Sequence, residues 1–93
     1  MQLEWDENKR SDTLENRGLD FADAAKIFAG KTLQHTDDRQ DYGEIRYVTI
    51  GRLGRKMIML VWTPRDPARR IISMRECDEQ ERKRYARRLA RSR

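Results

Sequence analysis

Six consecutive apolar residues, Met57 to Trp62, form the longest apolar run in the chain. The run is far too short to cross a bilayer, which takes about 20 residues. It has the length of a β-strand, and it is apolar on both of a strand's faces. Such a segment belongs at the centre of a sheet. The rest of the chain offers little to match it: of 93 residues, 40% are charged and 37% hydrophobic. The core must be thin, and the length allows one domain, expected over residues 1–93.

The segments around this strand read in order. Leu3 to Trp5 is a short apolar start. Asp6 is an N-cap, and Glu7 to Arg17 is a polar helix closed by Gly18. Asp20 caps a second helix, Phe21 to Ala29, whose apolar residues Phe21, Ala24, Ala25 and Phe28 recur at helical spacing on one face. Thr32 to Thr36 is a weak strand, and Asp37 to Gly43 a polar loop. Glu44 to Leu53 is rich in β-formers. Gly51 and Gly54 bracket a hairpin turn into the strand Lys56 to Thr63. Pro64 to Ala68 is a break, and Arg69 to Arg75 the last strand. Asp78-x-x-Glu81 is a capping box that starts a C-terminal helix. The expected fold is α+β: two N-terminal helices, a three- to four-stranded antiparallel sheet, and a C-terminal helix, with the helices on one sheet face.

Charge is unevenly distributed. Residues 1–64 carry net −1 and residues 65–93 net +6, with ten Arg and one Lys in the latter. A field of that sign attracts polyanions, nucleic acid first, and Arg forks onto phosphate bidentately. An acidic protein is the other partner class. Glu4, Asp6 and Glu7, close behind Met1, leave no signal-peptide core, no run spans a membrane, and the expected compartment is the cytoplasm. One cysteine, Cys77, excludes an internal disulfide framework and a Cys-based zinc site.

Few chemistries remain. No metal constellation, phosphate-cradling glycine loop or cofactor motif is legible, so no cofactor is expected. The acidic loop residues Asp37, Asp38, Asp41 and Glu44 read as solvated charge rather than a Ca²⁺ site. With His35 as the only histidine, a two-histidine ribonuclease mechanism is excluded, and His35 on an edge strand reads as structural or exposed. Nothing in the sequence brings Cys77 to it. What stands out is arginine at strand ends. Arg65 follows the central strand, Arg75 ends the last one, and Arg46 lies in the strand from Glu44. If the strands pair, Arg65 and Arg75 can converge, and with Thr63, Ser73 and Tyr85 they make a phosphate site.

These residues carry a family resemblance. Glu4-Trp5-Asp6-x-x-Lys9, Asn16-x-Gly18-x-x-Phe21, Glu44-x-Arg46-x-x-x-Ile50-Gly51, Thr63-x-Arg65, Arg70-Ile71-Ile72-Ser73-x-Arg75 and Glu81-Arg82-x-x-Tyr85 together resemble the BrnT toxin family over about the first 89 residues. The resemblance implies a RelE-like fold and a ribonuclease toxin of a type II toxin–antitoxin pair, inhibiting translation and growth. It implies a BrnA-like antitoxin with a ribbon-helix-helix region, and operator DNA bound through the antitoxin complex. It also implies a basic, metal-free site on the sheet, with the family's arginines falling on Arg65 and Arg75. Two positions depart. Trp62 stands where the family usually has His before Thr-x-Arg, and Arg17 where it tends to have His before Gly18.

A metal-free ribonuclease can use the RNA's own 2′-hydroxyl as nucleophile. It needs a base, cations for the developing phosphorane charge, and a proton for the leaving oxygen. Arg65 and Arg75 suit the second task, Tyr85 or Lys56 the proton, and Arg46 is a further candidate catalytic residue. Thr63, Ser73, Lys56, Arg70, Arg87 and Arg88 are expected to bind RNA, with Arg91 and Arg93 extending the basic tail. Trp62 either stacks a base or fills the core. Alternation leaves both open, and its place directly before Thr63-x-Arg65 favours the site. The competing function is binding without catalysis, as an antitoxin-binding or nucleic-acid-binding module.

Overall fold

A computed structural model describes residues 1–91. Arg93 lies outside the described residues. The elements run β1 (Gln2–Trp5), α1 (Glu7–Arg17), a 3₁₀ turn (Phe21–Asp23), α2 (Ala24–Ala29), β2 (Thr32–Thr36), β3 (Tyr47–Leu53), β4 (Lys56–Arg65), β5 (Ala68–Glu76) and α3 (Glu79–Arg91). The caps form where expected. Asp6 accepts from the Lys9 N–H, and Gly18 closes α1 at φ 68°, a conformation that glycine adopts without strain.

The fold is α+β, but its sheet differs from the expected layout. Five strands form a mixed sheet in the order β1-β5-β4-β3-β2. The apolar start, Leu3 to Trp5, is a strand that pairs with β5 in parallel, Glu4 opposite Arg70. The other pairs are antiparallel. The proline break shrinks to a turn at Asp66 and Pro67, because β4 runs on to Arg65. The run Met57–Trp62 is central, as its composition requires.

Helices cover both faces of the sheet, not one. Ile58, Leu60 and Trp62 of β4 pack with Ile71 and Met74 under Phe21, Ala24 and Ile27. Met57 and Val61 point the other way, joining Val48, Ile50 and Cys77 against Leu89 of α3. Two faces of burial explain why β4 has no polar side. Gly51 serves this packing rather than the turn. A Cβ there would lie 2.7 Å from Ile27 Cγ2, so glycine lets α2 sit against β3. The hairpin itself is closed by Gly54 at φ 62°.

One irregularity decides what the α3 face displays. The β4–β5 register shifts between Val61, opposite Ser73, and Trp62, opposite Ile71, leaving Ile72 as an extra residue. This bulge changes the alternation of β5. Arg70 before it, and Ser73 and Arg75 after it, thereby share the α3 face although their spacing is odd. At the free edge of β5 beyond β1, Arg17 of α1 donates to the Met74 carbonyl at 2.9 Å.

Candidate functional site

Helix α3 covers only part of its sheet face. The remainder is an open groove of about 470 Å³ whose floor is Val48, Met59 and Val61. Ser73 and Arg75 of β5 form one wall, and His35 with Asp37 and Arg39 the other. The register aligns these walls. His35, Val48, Val61 and Ser73 lie in one row across four strands. At about 4.8 Å per strand, the outer two backbones stand roughly 14 Å apart.

Arg75 is held by its neighbours. Its Nη1 and Nη2 donate to the two Glu81 oxygens, each at 2.7 Å. Glu81 is the capping-box acid, so α3 begins by orienting the groove's guanidinium. Hydrogen bonding to Arg75 holds the Glu81 carboxyl down to about 2, and the same pairing raises Arg75. Glu81 is thus a residue that sequence reasoning placed in a cap and not beside the site. The opposite wall is also tied. Asp37 is buried and accepts from Arg39 Nε and Nη2, both at 2.8 Å, and from the Tyr42 hydroxyl at 3.2 Å. The Arg39 hydrogen bonds hold the Asp37 carboxyl at about 2.

Arg65 does not converge with Arg75. Arg75 lies opposite Met59, six residues from Arg65 along β4. That is roughly 20 Å at about 3.3 Å per residue. Arg65 instead lies 4.0 Å from Glu4 and 3.9 Å from Glu44. Arg70 shares Glu4 at 3.3 Å. Arg46 donates to Glu44 at 3.1 Å and stacks 3.9 Å over the Tyr42 ring. Arg46, Arg65 and Arg70 therefore form a second basic group at the far end of the same face, interleaved with acids.

The other expected residues divide. Ser73 lines the groove. Thr63 is buried and gives its hydroxyl to the Ile45 carbonyl at 2.6 Å, which makes it a structural anchor of the loop before β3. Lys56 sits at the hairpin, away from the groove, so it does not reach the groove as a proton donor. Tyr85 packs with the apolar group beneath α3, between the Arg84 and Arg88 guanidiniums at 5.7 and 5.9 Å. Arg87 and Arg88 are exposed on α3.

Trp62 requires a correction. It is 6% exposed, on the α2 face and not the groove face. Its Nε1 donates to Thr49 Oγ1 at 2.8 Å, and its ring meets Phe28 edge-on at 5.5 Å and Tyr47 at 5.0 Å. Arg69 caps the cluster 4.8 Å from the indole centroid. A base cannot stack on a ring already enclosed this way. His35 moves in the opposite direction. The sequence left it on an edge, and the sheet brings it into the groove. Its only sequence signal was being the sole imidazole.

Other chemistry is weak here. Burial pushes the Cys77 thiol up to about 11, which suits packing and not nucleophilic attack. Among the described residues, no three His, Cys, Asp or Glu are grouped to hold a metal ion. No described helix is long and apolar enough to cross a membrane.

No curated protein matches the chain. Residues 5–81 match a protein family described as "Ribonuclease toxin, BrnT, of type II toxin-antitoxin system".

Proposed function

The chain belongs to the BrnT family of ribonuclease toxins of type II toxin–antitoxin systems, and we propose that the groove beside α3 is where it cuts RNA without a metal. The observation that carries this reading is Arg75, fixed by Glu81 at 2.7 Å with its guanidinium lining an open groove. A guanidinium set in place before the substrate arrives stabilises charge developing on a phosphorane without further reorganisation. Ser73 beside it supplies a hydroxyl to a phosphate oxygen, and the apolar floor of Val48, Met59 and Val61 accepts ribose or base.

The RNA's 2′-hydroxyl attacks the adjacent phosphorus, and the bond to the 5′-oxygen breaks. A 2′,3′-cyclic phosphate and a 5′-hydroxyl result. Arg46, Arg65 and Arg70, at the far end of the face, hold a flanking phosphate and set the strand's direction. Arg87 and Arg88 add contacts that do not depend on sequence. In this reading cleavage inhibits translation and growth. The neutralising partner is a BrnA-like antitoxin with a ribbon-helix-helix region, through which the complex reaches operator DNA.

The test is cleavage of a defined RNA in EDTA, with the ends analysed. Cyclic phosphate and 5′-hydroxyl ends are expected. Tight RNA or antitoxin binding with no cleavage under any condition favours the binding-module alternative.

A further inference from the structure

His35 is the chain's only imidazole, and the sheet places it in the groove wall facing Ser73 and Arg75. We infer that His35 is the general base of this site, taking the proton from the RNA's 2′-hydroxyl. The inference rests on the ribonuclease reading above and adds a catalytic residue to it.

The row His35–Val48–Val61–Ser73 gives the groove two polar walls across an apolar floor. Arg75 stands one row from Ser73, so a phosphate held there leaves its ribose over Val48 and Val61. A ribose seated there with its 2′-hydroxyl toward β2 meets the His35 wall. His35 is exposed, and among the described residues no hydrogen bond ties its ring. The other groups in the groove cannot do this work. Arg75 is bound to Glu81, Arg39 to Asp37, and guanidinium does not give up its proton near neutral pH. Asp37 is already saturated by Arg39 and Tyr42. Asp38 also lines this wall, but a carboxylate is by its chemistry a far weaker base than an imidazole.

An imidazole nitrogen takes the 2′-hydroxyl proton as the 2′-oxygen bonds to phosphorus. The 5′-oxygen leaves with the bonding electron pair and takes a proton from water in the open groove. The imidazolium afterwards returns its proton to solvent. Nothing is oxidised or reduced.

The experiment compares wild type, His35→Gln and His35→Ala on one RNA, in EDTA. Single-turnover cleavage is followed between about pH 5 and 8, the range in which imidazole titrates. RNA affinity and melting temperature are measured alongside. At neutral pH, His35→Gln should cut about 10²–10⁴-fold more slowly, with RNA affinity and melting temperature kept. Wild type should gain rate from acid to neutral pH, and His35→Gln should lose that rise. Added imidazole should restore part of the His35→Ala rate. A His35→Gln enzyme with wild-type rate and pH profile overturns the proposal and leaves the ribonuclease reading intact. So does a loss of affinity that accounts for the whole loss of rate. If wild type itself cuts no RNA, both readings fall together.

Discussion

Arg75 and Glu81 face each other through two parallel N–H···O bonds of 2.7 Å, tying strand β5 to the first turn of α3. The same carboxylate also accepts the Asp78 N–H at 2.9 Å, and Asp78 accepts the Glu81 N–H at 2.8 Å. A single acid thus closes the capping box and aims the groove's guanidinium. Loss of Glu81 should therefore damage stability and activity together.

That coupling has a pH signature. The Glu81 carboxyl falls from an ordinary 4.5 to about 2 on folding. A depressed acid stabilises the fold above its unfolded value and loses that contribution as pH falls through the folded one. Wild type should lose melting temperature between 4.5 and about 2. Glu81→Gln should be less stable at neutral pH by about 1–2 kcal/mol, because Arg75 is half-exposed and water screens the pair. It should also show a shallower loss in the acid window. Thermal melts across this range check it, and equal slopes for the two proteins would contradict the pairing.

Trp62→His is expected to destabilise without any catalytic gain. The indole fills the space between Phe28 and Tyr47 and satisfies Thr49. A smaller polar ring leaves a void and loses that fit, at a cost of about 2–4 kcal/mol. The new imidazole faces α2, on the far side of the sheet from Arg75. Melting curves and RNA cleavage across pH measure both halves, and a gain in cleavage would place the active site on the α2 face instead.

Much of this was legible in the sequence. Asp6, Gly18 and the Asp78–Glu81 box marked helix ends because caps are local chemistry. Met57–Trp62 marked the central strand because it had no polar face. What escaped was non-local. Leu3–Trp5 gains strand structure only from its parallel partner β5. The extra residue Ile72 leaves no trace in the pattern, yet it turns Ser73 and Arg75 toward the groove. Trp62 was assigned to the site from its place before Thr63-x-Arg65, since two apolar faces of β4 left alternation silent, and the packing of α2 puts it in the core instead. Arg65 and Arg75 were brought together by their places at strand ends, and register separated them.

The separation makes the two arginines distinguishable. Arg75→Lys keeps the charge but loses the fork to Glu81 and to phosphate. It should lower kcat by about 10²-fold, as the loss of a donor to developing charge does. Arg65→Ala, roughly 20 Å away along the sheet, should raise KM several-fold and leave kcat nearly unchanged. Steady-state kinetics on one RNA measure the split. A kcat loss of equal size in both variants would mean that the two guanidiniums act on one phosphate, through a rearrangement of the sheet's edge.

The basic face of α3 should be visible in salt. Arg87, Arg88 and Arg91 are exposed, and among the described residues none of the three has an ion pair. Each phosphate neutralised releases counterions, with a log–log slope of about −0.7 per contact on single strands. Replacing all three by Gln should flatten the slope of RNA affinity against salt by about 2. The groove should be unaffected, since Glu81, which holds Arg75 of β5, lies at the other end of α3, so single-turnover cleavage at saturating protein should hold. An unchanged slope, with weakened antitoxin binding, would assign this face to the antitoxin. The helix would then meet its partner with the residues that make the last third of the chain basic, and RNA would be gripped by the sheet alone.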